Sequence, residues 1–224
     1  MRLTVACFFV GLIQLAGLPQ MALAQSQNSD PEIPSNNSAD FSVKPATRAV
    51  LNQLRDGGYV IYLRDGYTDT THPDRLPKID LNNCASQRPL TAAGRELAAK
   101  VGKKIRRAKI PLGEIYVSPP CRMQDTASAA FASKLNVVNA LLLSAAMSAK
   151  EKMAPVEATR ELLSRPQEGN SNRVIVSHAE TLMELMGYLP QEACTVVIFK
   201  PLGDKHYKYI ATIEPQQWNT LKPM

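Results

Sequence analysis

The chain has little cysteine and no Cys-x-x-Cys pair. Its 224 residues include 4 cysteines and 3 histidines, and these do not cluster along the sequence. A structural zinc site needs a set of such ligands at short spacings. The sequence therefore argues against a structural metal, and we expect neither a metal ion nor another cofactor.

Long hydrophobic runs are also missing after residue 24, where no stretch reaches the roughly 20 apolar residues that span a bilayer. Before it, Arg2 precedes an apolar run over residues 3–18, and Ala-Leu-Ala follows at 22–24. This pattern is typical of a secretory signal peptide. We predict cleavage after Ala24, export to the periplasm or secretion, and no stable membrane insertion of the mature chain. The alternative is an uncleaved anchor helix, for which the run is short.

Neither sign of charge is in large excess. The formal net charge is +6, and loss of Arg2 with the signal peptide would leave +5. The basic cluster at 103–109 lies in a segment with apolar residues at four-residue spacing, which indicates the solvated face of a helix. Because no aromatic residues interleave with it, we expect no nucleic-acid partner. A surface that binds envelope polyanions is a minor alternative based on the net charge alone.

Polar composition and hydrophobic periodicity divide the rest of the chain. Residues 25–45 contain few apolar side chains and predict a disordered leader, followed by one domain at 46–224. The periodicity predicts helices near 46–56, 91–108, 121–132, 155–165 and 178–187, and strands near 59–63, 113–117, 173–177, 194–199 and 207–213. Strands that alternate with helices predict an α/β fold with three layers, in which helices cover both faces of a mostly parallel sheet. The polar loop at 67–89 is long enough to suggest a functional role.

Charged and imidazole side chains follow three of the predicted strands. Arg64 and Asp65 end the first, Arg122 follows the second, and His178 and Glu180 follow the strand at 173–177. The carboxyl ends of parallel strands share one edge of a sheet, where α/β proteins bind ligands. Guanidinium groups match the oxygens of a phosphate group. The sequence therefore predicts a phosphate-binding crevice at this edge.

Four motifs occur on these elements in order. They read Tyr-Val-Ile-Tyr-Leu-Arg-x-Gly at 59–66, Gln-Arg-x-Leu-Thr-x-x-Gly-Arg at 87–95, Ser-Pro-x-x-Arg at 118–122 and Val-Ser-His at 176–178. Through these four motifs, residues 46–220 resemble the histidine phosphatase superfamily, whose fold is phosphoglycerate-mutase-like. The resemblance is strongest to the small exported members of that superfamily. The resemblance implies a phosphatase-type pocket in which Arg64, Arg122 and His178 bind phosphate.

The departure from the family is at Asp65, where the family has the histidine that attacks phosphorus. A carboxylate is a weaker nucleophile there, and at about 4 Å it repels a phosphate charge by roughly 4 kcal/mol. The resemblance therefore implies a catalytically impaired binding module, a pseudoenzyme, for a phosphorylated small molecule or an envelope phosphate group. The alternative is an active phosphomonoester hydrolase with a non-standard nucleophile, such as His72 from the long loop. We expect the neighbouring cations to lower the pKa of Asp65.

The resemblance leaves two further roles open. Some larger members carry the proton donor in His-Ala-Glu-Thr, found here at 178–181, which makes Glu180 a candidate; alternatively, Glu180 only stabilises the first turn of a helix. The small exported members have cysteines near Cys84 and Cys121, which favours a disulfide in an oxidising compartment over two unpaired thiols. Cys194, in an apolar segment, is expected to be a buried free thiol.

Overall fold

The computed structural model of the protein describes residues 41–221. The predicted signal peptide and residues 25–40 of the predicted leader lie outside the described residues. No helix in the described range is long and apolar enough to cross a membrane. The range contains the helices α1 (Arg48–Asp56), α2 (Ala92–Arg107), α3 (Cys121–Ala130), α4 (Ala149–Ser164) and α5 (Ala179–Met186), and the strands β1 (Val60–Arg64), β2 (Leu112–Val117), β3 (Leu135–Val137), β4 (Asn172–Ser177), β5 (Val196–Gly203) and β6 (His206–Ile213).

The strands form one six-stranded sheet in the order β3-β2-β4-β1-β5-β6. Neighbours from β3 to β1 pair in parallel, whereas β5 pairs with β1, and β6 with β5, in antiparallel fashion. Residues of α1, α2 and α3 join the core on one face, and residues of α4 and α5 join the core on the other. The predicted α/β class, with three layers and a mostly parallel sheet, is confirmed.

Strand β1 lies between the two cores. Ile61 and Leu63 pack into the core beneath α1, α2 and α3, while Val60 and Tyr62 pack into the opposite core. All four side chains are at most 1% exposed. Burial on both faces explains why this segment is continuously apolar rather than alternating. It also places the end of β1, with Arg64, in the middle of the sheet.

Helix α4 begins at Ala149, whereas the sequence pattern predicted a start near Pro155. The Ser148 Oγ accepts from the Glu151 N–H at 3.3 Å, and the Glu151 carboxylate accepts from the Ser148 N–H at 2.8 Å. This capping box satisfies the free amides of the first turn. The helix therefore starts at the cap and continues through Pro155 despite the missing N–H there.

Residues 41–45, the end of the predicted leader, lie beside β6. The Thr212 N–H donates to the Lys44 carbonyl at 2.8 Å, and the Ala46 N–H donates to the Thr212 carbonyl at 2.9 Å. The Phe41 ring stacks on Tyr188 with centroids 4.7 Å apart. These five residues were predicted to be disordered, but they are ordered, because the Phe41 ring and the backbone hydrogen bonds hold them to the sheet.

Two glycines bring the turn after β1 against the start of α2. A Cβ on Gly66 would lie 2.7 Å from the Gly94 carbonyl oxygen, and a Cβ on Gly94 would overlap the backbone of Tyr67. The Thr91 N–H and hydroxyl both donate to the Tyr67 carbonyl at 2.9 Å. This contact between backbones needs glycine on both sides, and it fixes the turn that carries Asp65.

Candidate functional site

The ends of the adjacent strands β2, β4 and β1 bring the predicted site residues together. Arg64 is the last residue of β1, and Asp65 follows it. Arg122 lies in the first turn of α3, just after β2, and His178 is the N-cap of α5, just after β4. Because these strands are parallel neighbours, the four side chains reach the same edge of the sheet.

Asp65 lies between two arginines. Its carboxylate is 3.9 Å from the Arg64 Nε and 3.6 Å from the Arg122 Nε, and its side chain is 11% exposed. Its backbone carbonyl accepts from the Cys194 N–H at 3.0 Å, which ties the turn to the segment before β5. The position that the resemblance assigns to a nucleophile therefore holds a nearly buried carboxylate between two cations.

The prediction that the pKa of Asp65 falls is wrong, although both arginines act to lower it. Burial raises the pKa from 3.8 to about 6, and the opposing effects of Arg122 and Arg64 only partly offset it. Removing a carboxylate from water disfavours its charged form, and this cost exceeds the attraction at 3.6–3.9 Å. Asp65 therefore changes its charge near pH 6 rather than in strong acid.

This shift predicts how stability depends on pH. Because the folded-state pKa lies above the unfolded value, Asp65 contributes most stability below pH 3.8, and that contribution disappears as the pH rises through about 6. Relative to Asp65→Asn, the unaltered protein should lose about 2 kcal/mol of unfolding free energy between pH 4 and pH 7. Urea unfolding of both proteins at the two pH values measures this difference, and a difference that stays constant with pH would contradict it.

Arg122 is held by a second carboxylate that sequence reasoning did not place in the site. Its Nη1 donates to both Asp74 oxygens, at 3.1 and 3.2 Å. Asp74 belongs to the long loop and also accepts from the Arg88 N–H at 2.8 Å. The Arg122 side chain is only 3% exposed. Loop length was the one sequence signal for this contact, and nothing in the sequence distinguished Asp74 from its polar neighbours.

His178 is buried and neutral. Burial, followed by the charges of Arg122 and Arg88, lowers its pKa from 6.5 to about 3. The Ser118 hydroxyl donates to the Leu141 carbonyl at 2.9 Å and lies 2.8 Å from His178 Nε2. Since that hydroxyl has one proton, His178 Nε2 must carry a hydrogen and donate to it. The lone pair of the imidazole is therefore on Nδ1.

Three guanidinium groups leave donors unused at this edge. Within residues 41–221, the Nε–H groups of Arg64, Arg88 and Arg122 are buried and have no hydrogen-bond partner. Arg64 uses its Nη1 to bind the carbonyls of Pro190 and Gln191, at 2.8 and 2.5 Å. Arg88 belongs to the second motif, but sequence reasoning gave it no role. Its charge acts on the pKa of both Asp65 and His178, so it belongs to the site.

The structure places the two open catalytic candidates differently. Glu180 is exposed in the first turn of α5, and its charge contributes to raising the pKa of Asp65. Glu180 therefore stands within electrostatic reach of the site. His72 has a 74% exposed side chain whose Nδ1 lies 2.7 Å from an Asp69 carboxylate oxygen. It points to solvent on the loop and contacts neither arginine of the predicted pocket.

A disulfide joins Cys84 to Cys121, whose Cα atoms are 5.7 Å apart, and it clips the long loop to the residue before Arg122. Gln87 strengthens this junction, because its Oε1 accepts from the Cys121 N–H and its Nε2 donates to the Asp80 carbonyl, both at 2.8 Å.

Cys194 is a buried free thiol, and burial raises its pKa to about 12. No group of three potential metal ligands occurs among the residues that the structure describes.

No protein-family model matches this chain, and no curated protein is similar to it in sequence. Solved structures match it by fold. The protein histidine phosphatase SixA, complexed with tungstate, is 15% identical, and the match covers 71% of this chain and 98% of that chain with a TM-score of 0.52. Phosphoserine phosphatase from Entamoeba histolytica, in complex with 3-phosphoglyceric acid, is 17% identical, with coverage of 71% and 98% and a TM-score of 0.50. The chain has the phosphoglycerate-mutase-like fold of the histidine phosphatases.

Proposed function

We propose that this protein is an exported, catalytically impaired relative of the histidine phosphatases that binds a phosphate group weakly and does not hydrolyse it. The observation that carries this proposal is the Asp65 carboxylate, which lies 3.9 Å from Arg64 Nε and 3.6 Å from Arg122 Nε at the nucleophile position. A histidine ring can attack phosphorus and later leave, whereas a carboxylate held by two arginines is a poor nucleophile.

The charges of the site support weak rather than tight binding. Three arginines, Arg64, Arg88 and Arg122, face the carboxylates of Asp65 and Asp74, while His178 is neutral. A phosphate group that enters meets unused Nε–H donors and also two acids. At an effective dielectric near 20, repulsion by one carboxylate at about 4 Å weakens binding by roughly a thousandfold. The ligand is a phosphorylated small molecule or an envelope phosphate group.

Export is supported by two features of the chain. The charge and apolar pattern of residues 1–24 is that of a secretory signal. The disulfide between Cys84 and Cys121 fits an oxidising compartment, since such bonds persist there and are rare in the cytosol.

Hydrolysis of an aryl phosphate by the purified protein tests this proposal. We expect no product above the buffer rate at pH 5 or pH 7, with or without a chelator, because no imidazole stands at the nucleophile position. Titration with orthophosphate should give only weak binding, lost in the double variant Arg64→Ala, Arg122→Ala. Turnover that persists with the chelator would overturn the proposal and favour an active phosphatase. Binding of a sulfated polyanion that survives the double variant and falls steeply with salt would favour the polyanion surface.

A further inference from the structure

Asp74 contacts Arg122 in the manner of a bound anion. Both carboxylate oxygens accept from Arg122 Nη1, at 3.1 and 3.2 Å, and one of them accepts from the Arg88 backbone N–H at 2.8 Å. A buried guanidinium together with a backbone amide is the donor set that proteins present to phosphate oxygens. The Asp74 side chain is 16% exposed, so little water competes for these bonds.

The loop that carries Asp74 is anchored at its base and exposed along much of its length. The Asp69 N–H donates to the Pro89 carbonyl at 3.0 Å, the Arg75 N–H donates to the Ser86 carbonyl at 3.1 Å, and the disulfide fixes Cys84 to α3. Residues 70–73 and 75–78 are exposed, so they contribute no side chains to either core. Segments with so few buried contacts open at low cost. Asp74 can therefore leave Arg122 without disturbing the sheet.

Asp65 and Asp74 differ in how easily their carboxylates can move away from Arg122. Asp65 follows β1 directly, and its backbone carbonyl is bonded to the Cys194 N–H. Its carboxylate is therefore a permanent part of the pocket. Asp74 reaches the same arginine from a surface loop, and its carboxylate is the one that an external ligand is able to replace.

We propose that Asp74 is an internal ligand of Arg122, and that a phosphate group binds there only by displacing the Asp74 carboxylate. This inference rests on the proposed function, since it concerns the same anion pocket, and it assigns Asp74 as the residue that sets the affinity of that pocket. The apparent dissociation constant then equals the intrinsic one divided by the fraction of molecules in which Asp74 is released. The loop makes the pocket selective for ligands with enough charge, or enough contacts beyond phosphate, to compete.

Orthophosphate titration of the unaltered protein and of Asp74→Asn, followed by calorimetry, tests the exchange. Asparagine keeps an oxygen for the Arg88 N–H but removes the charge opposite Arg122, so we expect on the order of tenfold tighter binding or more. Asp69→Asn is the matched control, because it removes the same charge from the same loop at a residue that pairs with His72 instead. Its affinity should stay within about twofold of the unaltered protein. Equal affinities for Asp74→Asn and the unaltered protein would overturn the inference.

Carboxyl NMR of the unaltered protein provides a test that needs no variant. Displacement of Asp74 moves its carboxylate away from the donors of Arg122 and Arg88 and into water, so saturating orthophosphate should shift the ¹³C carboxyl resonance of Asp74 towards that of an exposed aspartate, while the resonance of Asp69 stays unchanged. An Asp74 resonance that does not move under saturation would show that the anion binds elsewhere and would overturn the inference. These readouts are independent of catalysis, so hydrolysis by the unaltered protein would overturn the proposed function alone.

Discussion

Asp65→His is expected to give hydrolysis of an aryl phosphate at a rate about 100-fold above that of the unaltered protein. The change supplies a neutral imidazole at the end of β1, next to Arg64 and Arg122. It also removes the carboxylate that lies 3.6 Å from Arg122 Nε. A nucleophile and free phosphate donors then coexist at one position. Steady-state release of the phenol at pH 7 measures the gain.

Asp65→Asn separates the two effects of that substitution. It removes the same negative charge and supplies no nucleophile, so phosphate binding should tighten while turnover stays at the buffer rate. A phosphorylated enzyme should accumulate only in Asp65→His, and acid lability of the label would identify phosphohistidine. If Asp65→Asn and Asp65→His hydrolysed the substrate equally, attack by residue 65 would be excluded.

Removal of the disulfide by the double substitution Cys84→Ser, Cys121→Ser should lower the free energy of unfolding by about 3–4 kcal/mol. The bond closes a segment with a sequence separation of 37, so its loss returns considerable conformational entropy to the unfolded chain. Urea unfolding at pH 7 under non-reducing conditions measures the change. The native site should also loosen, because the long loop loses its covalent connection to α3.

Cys194→Ala is the matched control for this prediction. It removes the buried free thiol, which makes no covalent bond, and should cost no more than about 1 kcal/mol. Equal losses of stability in the control and in the double variant would mean that the packing of the sulfur atoms, and not the cross-link, carries the stabilisation. Reduction of the unaltered protein should reproduce the effect of the double substitution.

Much of the fold was predictable because strong local signals agree with the tertiary structure. The apolar run at 59–63 predicted β1, and the chain places it in the middle of the sheet. The helix predicted near 91–108 corresponds to α2, whose N-cap is Thr91: its hydroxyl accepts from the Gly94 N–H at 2.9 Å. The capping box at Ser148 and Glu151 was equally readable, but the proline at 155 was interpreted as a helix start. Proline is favoured in the first turn of a helix, but the complete capping box of Ser148 and Glu151 starts α4 six residues before Pro155.

The electrostatics of the site were less predictable, because they depend on distances in space. The charged residues in the sequence correctly indicated two cationic neighbours for Asp65, but the sequence contains no measure of how deeply its carboxylate is buried. Burial then reversed the expected direction of its pKa shift. The contact between Asp74 and Arg122 joins residues 48 positions apart through a loop without regular periodicity. Such a contact has no local signature.

The segment before α1 affects how shortened versions of this protein should behave. A truncation at residue 46 would leave the edge of β6 at Thr212 without its partner strand segment and would uncover the rings of Tyr188 and Tyr209. An exposed strand edge with neighbouring aromatic rings is a template for self-association. Crystallisation and solution work are therefore better served by a start site upstream of Phe41, even though the composition of the chain suggests a later one.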